Sequence, residues 1–260
     1  MSIVSVKLMG GLGNCLFQIA AAYSVSLRDS KTFLCEKLVS HGSHKPIDNY
    51  LNNIFKKINF GDINFNHANY KEPFFHYNEI PRSDDNLLIN GYFQSEKYFM
   101  SHRNEILNLF EINDEIKDKL INKYGEILTK KTCSIHVRRG DYVRLNQYHT
   151  VQPIDYYEKS IKLIGEDYEY LIFSDDIEWC KTNFDFIQTK HFIEDDTDYE
   201  NLYLMSMCDH NIIANSSFSW WGSWMNKNEN KKVISPKNWF GDKNKHLNTK
   251  DIYIKNSIIL

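Results

Sequence analysis

Cys133-Ser134-Ile135-His136-Val137-Arg138-Arg139-Gly140-Asp141 is an apolar run that breaks off into two arginines, a glycine and a carboxylate. The run over Cys133–Val137 predicts a buried β-strand, and the polar cluster falls at its carboxyl end. The same pattern recurs downstream. Apolar strands are predicted at Tyr170–Phe173, His191–Ile193, Asn211–Ala214 and Lys232–Ile234. Helices are predicted between them, near Tyr156–Ile164, Ile177–Thr182, Asp198–Cys208 and Ser217–Asn226. Strands that alternate with helices imply a parallel sheet covered by helices. Ligands of such sheets bind beyond the carboxyl ends of the strands, which is where the polar clusters lie.

The amino-terminal half opens in the same style. Ile3–Leu8 reads as a strand, Gly10-Gly11-Leu12-Gly13 as a tight turn, Asn14–Leu27 as a helix and Thr32–Cys35 as a second strand. From Val39 to Asp85 the chain is rich in Asn, His, Lys and aromatics with weak periodicity, and reads as loops and short helices. Leu87–Phe93 predicts a buried strand, Ser95–Phe110 an amphipathic helix and Asp114–Leu128 a polar helix. The lysines at 130 and 131 then mark a boundary, so the expected division is 1–129 and 130–260. The simplest architecture is α/β: two Rossmann-like domains with parallel sheets, facing each other across a cleft.

Bulk properties narrow the classes. A chain of 260 residues, 42% hydrophobic, is long enough for one large or two compact cores. A net charge of −3 argues against nucleic-acid binding through a basic surface. No apolar stretch approaches the ~20 residues of a membrane span. The start, MSIVSVKLMGG, lacks a basic, cleavable leader pattern. Cys15, Cys35, Cys133, Cys180 and Cys208 form no CxxC pair, which speaks against a disulfide framework or a zinc site. The expectation is a cytoplasmic protein without an integral membrane segment.

Five clusters could carry chemistry. Adjacent arginines after a buried strand need anionic partners, and guanidinium groups match phosphate oxygens through forked hydrogen bonds. Arg138 or Arg139 therefore suits a phosphate; an Arg139–Asp141 pair that pins the loop is the alternative use, and neighbouring side chains on extended chain point apart. Asn215-Ser216-Ser217 follows a strand and opens a helix, where free N–H groups and the dipole favour a phosphate. Ordinary capping by Asn215 or Ser216 fits equally well, and the tryptophans at 220, 221 and 224 read as core. Ser174-Asp175-Asp176 offers carboxylates that could accept the N–H groups of guanine, or a helix cap ahead of Ile177. Gly10-Gly11-Leu12-Gly13-Asn14 permits close backbone approach, but has neither dinucleotide-fold nor P-loop spacing. Asp196-Thr197-Asp198 matches the Asp-x-Asp metal pattern of many glycosyltransferases, yet Thr197 and Glu200 spell a capping box, which is the preferred reading. No cluster has metal-site spacing, so no metal is expected; a GxSxG elbow is also missing, against an esterase.

The order GGLGN, GYFQSEKYF at 91–99, HVRRGDYV at 136–143, FSDD at 173–176 and IIANSSFSWWGSWM at 212–225 resembles the bacterial and viral α-1,2-fucosyltransferases of glycosyltransferase family 11. The resemblance runs over nearly the whole chain. It implies a GT-B architecture, GDP-fucose as donor with no cofactor or metal, and transfer with inversion to O2 of a terminal β-galactoside in a glycan. It implies that Arg138 binds the diphosphate, His136 lies near the nucleotide, Asp175 or Asp176 reads guanine, and Ser216 and Ser217 hold the β-phosphate. Gly11 and Asn14 become candidates for approach to the diphosphate, and the donor belongs to the carboxyl-terminal domain, the acceptor to the amino-terminal one.

The implied reaction is a one-step displacement with GDP leaving. Asp141 is the nearest carboxylate to serve as general base, or it orients Arg139; His149 and Glu194 are weaker candidates. A fucosyltransferase of another linkage, another nucleotide-sugar transferase, and a non-catalytic carbohydrate-binding protein are the competing readings. The last has no need of HVRRGD.

Overall fold

The computed structural model describes residues 2–40 and 45–260, so residues 41–44 of the weakly periodic stretch lie outside it. It divides into two compact units, Met1–Asn113 with Leu247–Ile252, and Asp114–His246 with Tyr253–Leu260. The division falls ahead of the Asp114–Leu128 helix, not after it as the lysine pair suggested. That helix belongs to the second unit through side chains the sequence could not pair in advance. Lys119 binds Glu200 at 2.6 Å, Lys123 binds Asp196 at 3.0 Å, and the Tyr124 hydroxyl donates to the same Asp196 carboxylate.

The first unit is built on a parallel sheet. β1 (Ile3–Met9) leads through the glycine turn to α1 (Leu12–Arg28) and β2 (Thr32–Ser40). α2 (Asp48–Leu51), β3 (Phe60–Gly61), β4 (Ala68–Lys71), β5 (Leu87–Asn90) and α3 (Arg103–Leu109) follow. The strand order is β3-β2-β1-β5-β4, every pair parallel. β1 sits centrally because Val4, Val6 and Leu8 are fully buried. β3 and β4 lay in the stretch read as loops; they are two and four residues long and at the sheet's edges, where alternation has no room to show.

Two expectations in this unit are corrected. The strand predicted to Phe93 stops at Asn90 because Gly91–Phe93 turns away, with Phe93 at φ +51°. The helix predicted over Ser95–Phe110 is three pieces: 3₁₀ turns at Glu96–Tyr98 and Met100–His102, then α3. Phe99, at φ −143° and ψ 4° and so outside the helical region, breaks it while its buried ring packs against Phe17, 6.0 Å between centroids. Packing of one aromatic outweighs the continuity that periodicity predicts.

The second unit starts with α4 (Asp114–Leu128), β6 (Thr132–Val137), a short α5 (Gly140–Arg144) and α6 (Ile154–Ile164). β7 (Glu169–Ser174), α7 (Ile177–Asn183), β8 (Lys190–Phe192), α8 (Asp198–Met207) and β9 (His210–Ile212) continue the alternation. α9 (Ser217–Met225), β10 (Val233–Ser235) and β11 (Ile258–Ile259) complete it. The order is β11-β10-β9-β6-β7-β8, again all parallel. All six residues of β6 are buried, as a strand covered on both faces requires. α6 packs Tyr156, Tyr157, Ile161 and Ile164 against Ile135, Ile172 and Ile212.

The tryptophans are core, as read. Trp220, Trp221 and Trp224 are 0–1% exposed, and Trp220 and Trp224 stack one turn apart. Gly222 lets α9 close on α8, since a Cβ there would stand 2.8 Å from that of Met205. The five cysteines are buried and free. Among the described residues no helix is long and apolar enough to cross a membrane.

Candidate active site

β6 pairs with β7 in a register that sets Val137 opposite Ser174, and with β9 through Ile135 and Ile212. Parallel pairing brings three carboxyl ends to one edge. HVRRGD, FSDD and NSSFSWW thus become neighbours, although up to about eighty residues of chain separate them.

The arginines share out the carboxylates. Arg138 donates from Nη2 to Asp141 at 2.6 Å and pairs through Nη1 with Asp175 at 2.9 Å. Its guanidinium lies 5.3 Å from the Tyr142 ring centre. Arg139 turns the other way: it bonds Asp176 at 3.1 Å and stacks on Trp179 at 3.8 Å. The alternative Arg139–Asp141 pair is therefore not the one formed. Extended chain at the strand end points the two side chains apart, and it is Arg138 that shares a side with Asp141. Asp175 anchors this loop a second time by accepting the Arg139 backbone N–H at 2.8 Å. Gly140 gives Asp175 room: a Cβ there would stand 2.4 Å from its carboxylate oxygen and force that side chain to shift.

Asp176 caps α7 by accepting from the Trp179 N–H, so the two carboxylates of FSDD have separate jobs. Ser216 is the N-cap of α9 and accepts from the Phe218 N–H at 3.4 Å; Ser217, half-buried, opens the helix.

Asn215 does not present its amide to a ligand. Its Nδ2 donates to the backbone carbonyls of Thr150 at 2.9 Å and Trp239 at 2.8 Å, while its Oδ1 accepts from Gln152 at 2.9 Å. The side chain ties three segments together and is 2% exposed. It positions the serines that follow.

His136 is 5% exposed, with its ring 5.5 Å from Phe218 and its Nδ1 without a hydrogen-bond partner. Burial, with the Arg138 charge adding to it, lowers its pKa to about 3. The ring is neutral in the folded chain at neutral pH. Below pH 6.5 the unfolded chain takes up a proton that the folded chain refuses, so stability falls as pH drops from 6.5 towards 3. At ~1.4 kcal/mol per unit, about 2 kcal/mol should be gone by pH 5. Urea midpoints measured from pH 7 to pH 5 should fall faster for the wild type than for His136→Asn; parallel curves would refute the buried neutral ring.

Three residues outside the expected set complete the site. Tyr142 joins the motifs: its hydroxyl donates to the Asn215 carbonyl at 3.1 Å, and its ring stacks on His149 at 4.3 Å. Gln152 holds Asn215 and the Asn238 carbonyl, each at 2.9 Å. Trp179 carries Arg139. Tyr142 lies inside the quoted motif, so its place was readable; Gln152 and Trp179 carry no local signal. A cavity of about 690 Å³ opens beside Arg139, lined also by Val143, Thr150, Asn238 and Phe240, within the usual size range of ligand sites.

Other candidates go elsewhere. Glu194 is ion-paired with Lys181 at 3.0 Å. His149 is the half-buried partner of Tyr142, its pKa lowered by burial. Thr197 and Glu200 form the capping box in full, and Asp196 is taken by Lys123 and Tyr124. Among the described residues no three His, Cys, Asp or Glu side chains gather as metal ligands would.

In the first unit, the glycine turn depends on Gly10 at φ +82°, where a Cβ would meet the Asn14 amide. The Gly11 carbonyl accepts the N–H groups of Asn14 and Cys15, at 3.0 and 3.1 Å, which starts α1. Asn14 in turn accepts from the Gln94 side chain at 2.8 Å, so GGLGN and GYFQ meet at the carboxyl ends of β1 and β5.

The family model for glycosyl transferase family 11 matches residues 3–260. The O-antigen biosynthesis glycosyltransferase WbnK of Escherichia coli is 33% identical, over 95% of this chain and 98% of its own length. An α-1,2-colitosyltransferase of Escherichia coli is 30% identical, over 92% of this chain and 93% of its own. Among solved structures, NodZ of Bradyrhizobium, an α-1,6-fucosyltransferase soaked with GDP-fucose, superposes with a TM-score of 0.56 at 14% identity, covering 86% of this chain and 91% of that one. That likeness concerns the fold: α/β with two parallel sheets, as in GT-B-like transferases. A glycosyltransferase fold, the motifs at the carboxyl ends of its strands and a match along nearly the whole chain agree: the chain belongs to glycosyl transferase family 11.

Proposed function

We propose that this glycosyltransferase moves L-fucose from GDP-fucose to O2 of a terminal β-galactoside, inverting the anomeric centre and needing no metal. The observation that carries the reading is the meeting of Arg138, Asp175 and Ser216-Ser217 beyond the ends of β6, β7 and β9, bridged by Tyr142. The donor belongs to the second unit and the acceptor to the first.

In this reading the diphosphate binds Arg138 and the start of α9, where Ser216, Ser217 and helix N–H groups supply donors. Arg138 and Arg139 stand among three carboxylates, so a phosphate must displace one. Asp141 is the one to leave, because Asp175 is held twice, by Arg138 and by the Arg139 N–H. The acceptor oxygen then bonds to the anomeric carbon as the bond from that carbon to the phosphate oxygen breaks. GDP departs with the electron pair, and the acceptor proton passes to Asp141, freed from Arg138. The α9 N–H groups and Arg138 stabilise the charge that develops on the leaving phosphate. His136 lines the nucleotide side as a neutral ring, and Asp175 or Asp176 accepts from the base.

A second reading, colitosyl transfer with the same linkage, is favoured by the similarity to the α-1,2-colitosyltransferase. A mass-spectrometric donor screen on lactose and N-acetyllactosamine separates the two. The expected result is a fucosylated product, with NMR showing the linkage to galactose O2 and the rate unchanged by a chelator. Calorimetry should show binding of GDP. A chain that takes up no GDP and transfers no sugar would overturn both readings.

A further inference from the structure

The first sheet ends in a feature that the donor chemistry does not use. β4 and β5 run in register to Lys71 opposite Asn90, and the Glu72 N–H donates to the Asn90 carbonyl at 2.8 Å. Glu72 and Gly91 therefore leave the sheet next to each other, at the carboxyl edge where ligands of parallel sheets bind.

The turn is over-determined. The Glu72 carboxylate accepts the Tyr92 N–H at 2.7 Å, the Phe93 N–H at 3.0 Å and the Tyr98 hydroxyl at 3.3 Å. Burial raises the pKa of that carboxyl. Gly91 is needed for the approach, since a Cβ there would come within 2.3 Å of the Glu72 Cβ. Phe93 adopts φ +51°, a left-handed conformation costly for a bulky residue, and buries its ring completely against Tyr70 and Tyr98. Such strain persists where surrounding contacts impose it. Its consequence here is that the preceding residue, Tyr92, faces outward, 41% exposed on a fixed backbone. Phe74, 55% exposed, stands on the adjoining segment with its ring stacked on His76 at 5.0 Å. The hydrogen-bonded amides of Asn14 and Gln94 supply polar groups at the same edge.

We propose that Tyr92, assisted by Phe74 two residues beyond Glu72, is the stacking platform for the acceptor sugar. One face of a pyranose such as galactose is a patch of C–H groups that rests on an aromatic ring, while its hydroxyls need amide partners. An exposed aromatic held rigid contributes contact area at little entropic cost. The proposal rests on the reading that the acceptor belongs to the first unit.

The test uses the full chain with Tyr92→Ala, Tyr92→Phe and Phe74→Ala. Saturation-transfer NMR on a β-galactoside without nucleotide should show transfer to the sugar C–H protons in the wild type and Tyr92→Phe, and its loss in Tyr92→Ala. In turnover, Tyr92→Ala should raise the acceptor KM about tenfold, the scale of one lost aromatic contact. GDP affinity and melting temperature should be unchanged, and Phe74→Ala should give a smaller rise. An unchanged acceptor signal and KM in Tyr92→Ala, or an equal loss of GDP affinity, overturns the platform. The NMR arm needs no donor, so failure of the GDP-fucose reading would appear separately, as a missing GDP signal in calorimetry.

Discussion

Arg138→Ala is expected to slow sugar transfer at least about a hundredfold, because removing one preorganised donor from a developing anion typically costs roughly 2.7–4 kcal/mol of barrier. The side chain reaches the end of β6 with one nitrogen on Asp141 at 2.6 Å and another on Asp175 at 2.9 Å, and it lies over Tyr142. Its loop survives its removal, since Asp175 also holds the Arg139 N–H at 2.8 Å. The loss should therefore fall on kcat with little change in melting temperature. Arg138→Lys keeps the charge but not the fork, and should recover only part of the rate. Arg139→Ala makes the contrast: that guanidinium is engaged by Asp176 and Trp179, so the variant should lose stability more than catalysis. Near-normal turnover in Arg138→Ala would sink the diphosphate assignment.

Asn215→Asp is expected to destabilise the protein by at least about 3 kcal/mol, since it leaves buried groups unpaired and faces a carboxylate with carbonyl oxygens. The Asn215 amide donates to the Thr150 and Trp239 carbonyls at 2.9 and 2.8 Å, in a site 2% exposed. An aspartate of the same shape has no proton to donate there. For a unit of this size the melting temperature should drop roughly 10 °C, at ~2–4 °C per kcal/mol. Asn215→Ala should also melt early, since the Gln152 amide and both carbonyls lose a partner. If Asn215 were instead a phosphate ligand, both variants would lose GDP affinity yet melt within a degree or two of the wild type.

Much of the second unit was legible because its strands are apolar runs bounded by polar ends, and three of its helices carry side-chain caps. Asp176, Thr197 and Ser216 were readable as caps from the residues that follow them. The first unit was less legible. Its edge strands are too short to alternate, and Phe99 and Phe93 take conformations dictated by their ring packing. The candidate site was legible as a set of motifs but not as a set of partners. Nothing near Arg138 in the chain says that Asp175 will be its second anion, or that Asn215 will be spent on Thr150 and Trp239.

Alternation of strand and helix, the capping box at Thr197, the buried tryptophans and the position of HVRRGD at a strand end are all determined by the sequence itself, because each depends on residues within a few positions of one another. Which carboxylate meets which arginine was decided by the tertiary structure. The pairing of Val137 with Ser174 and of Ile135 with Ile212 sets the loop ends side by side, and only then do side-chain directions and unmet hydrogen bonds select their partners. The same holds in the first unit, where Tyr92 faces outward because Glu72, twenty residues away, captures the backbone around it.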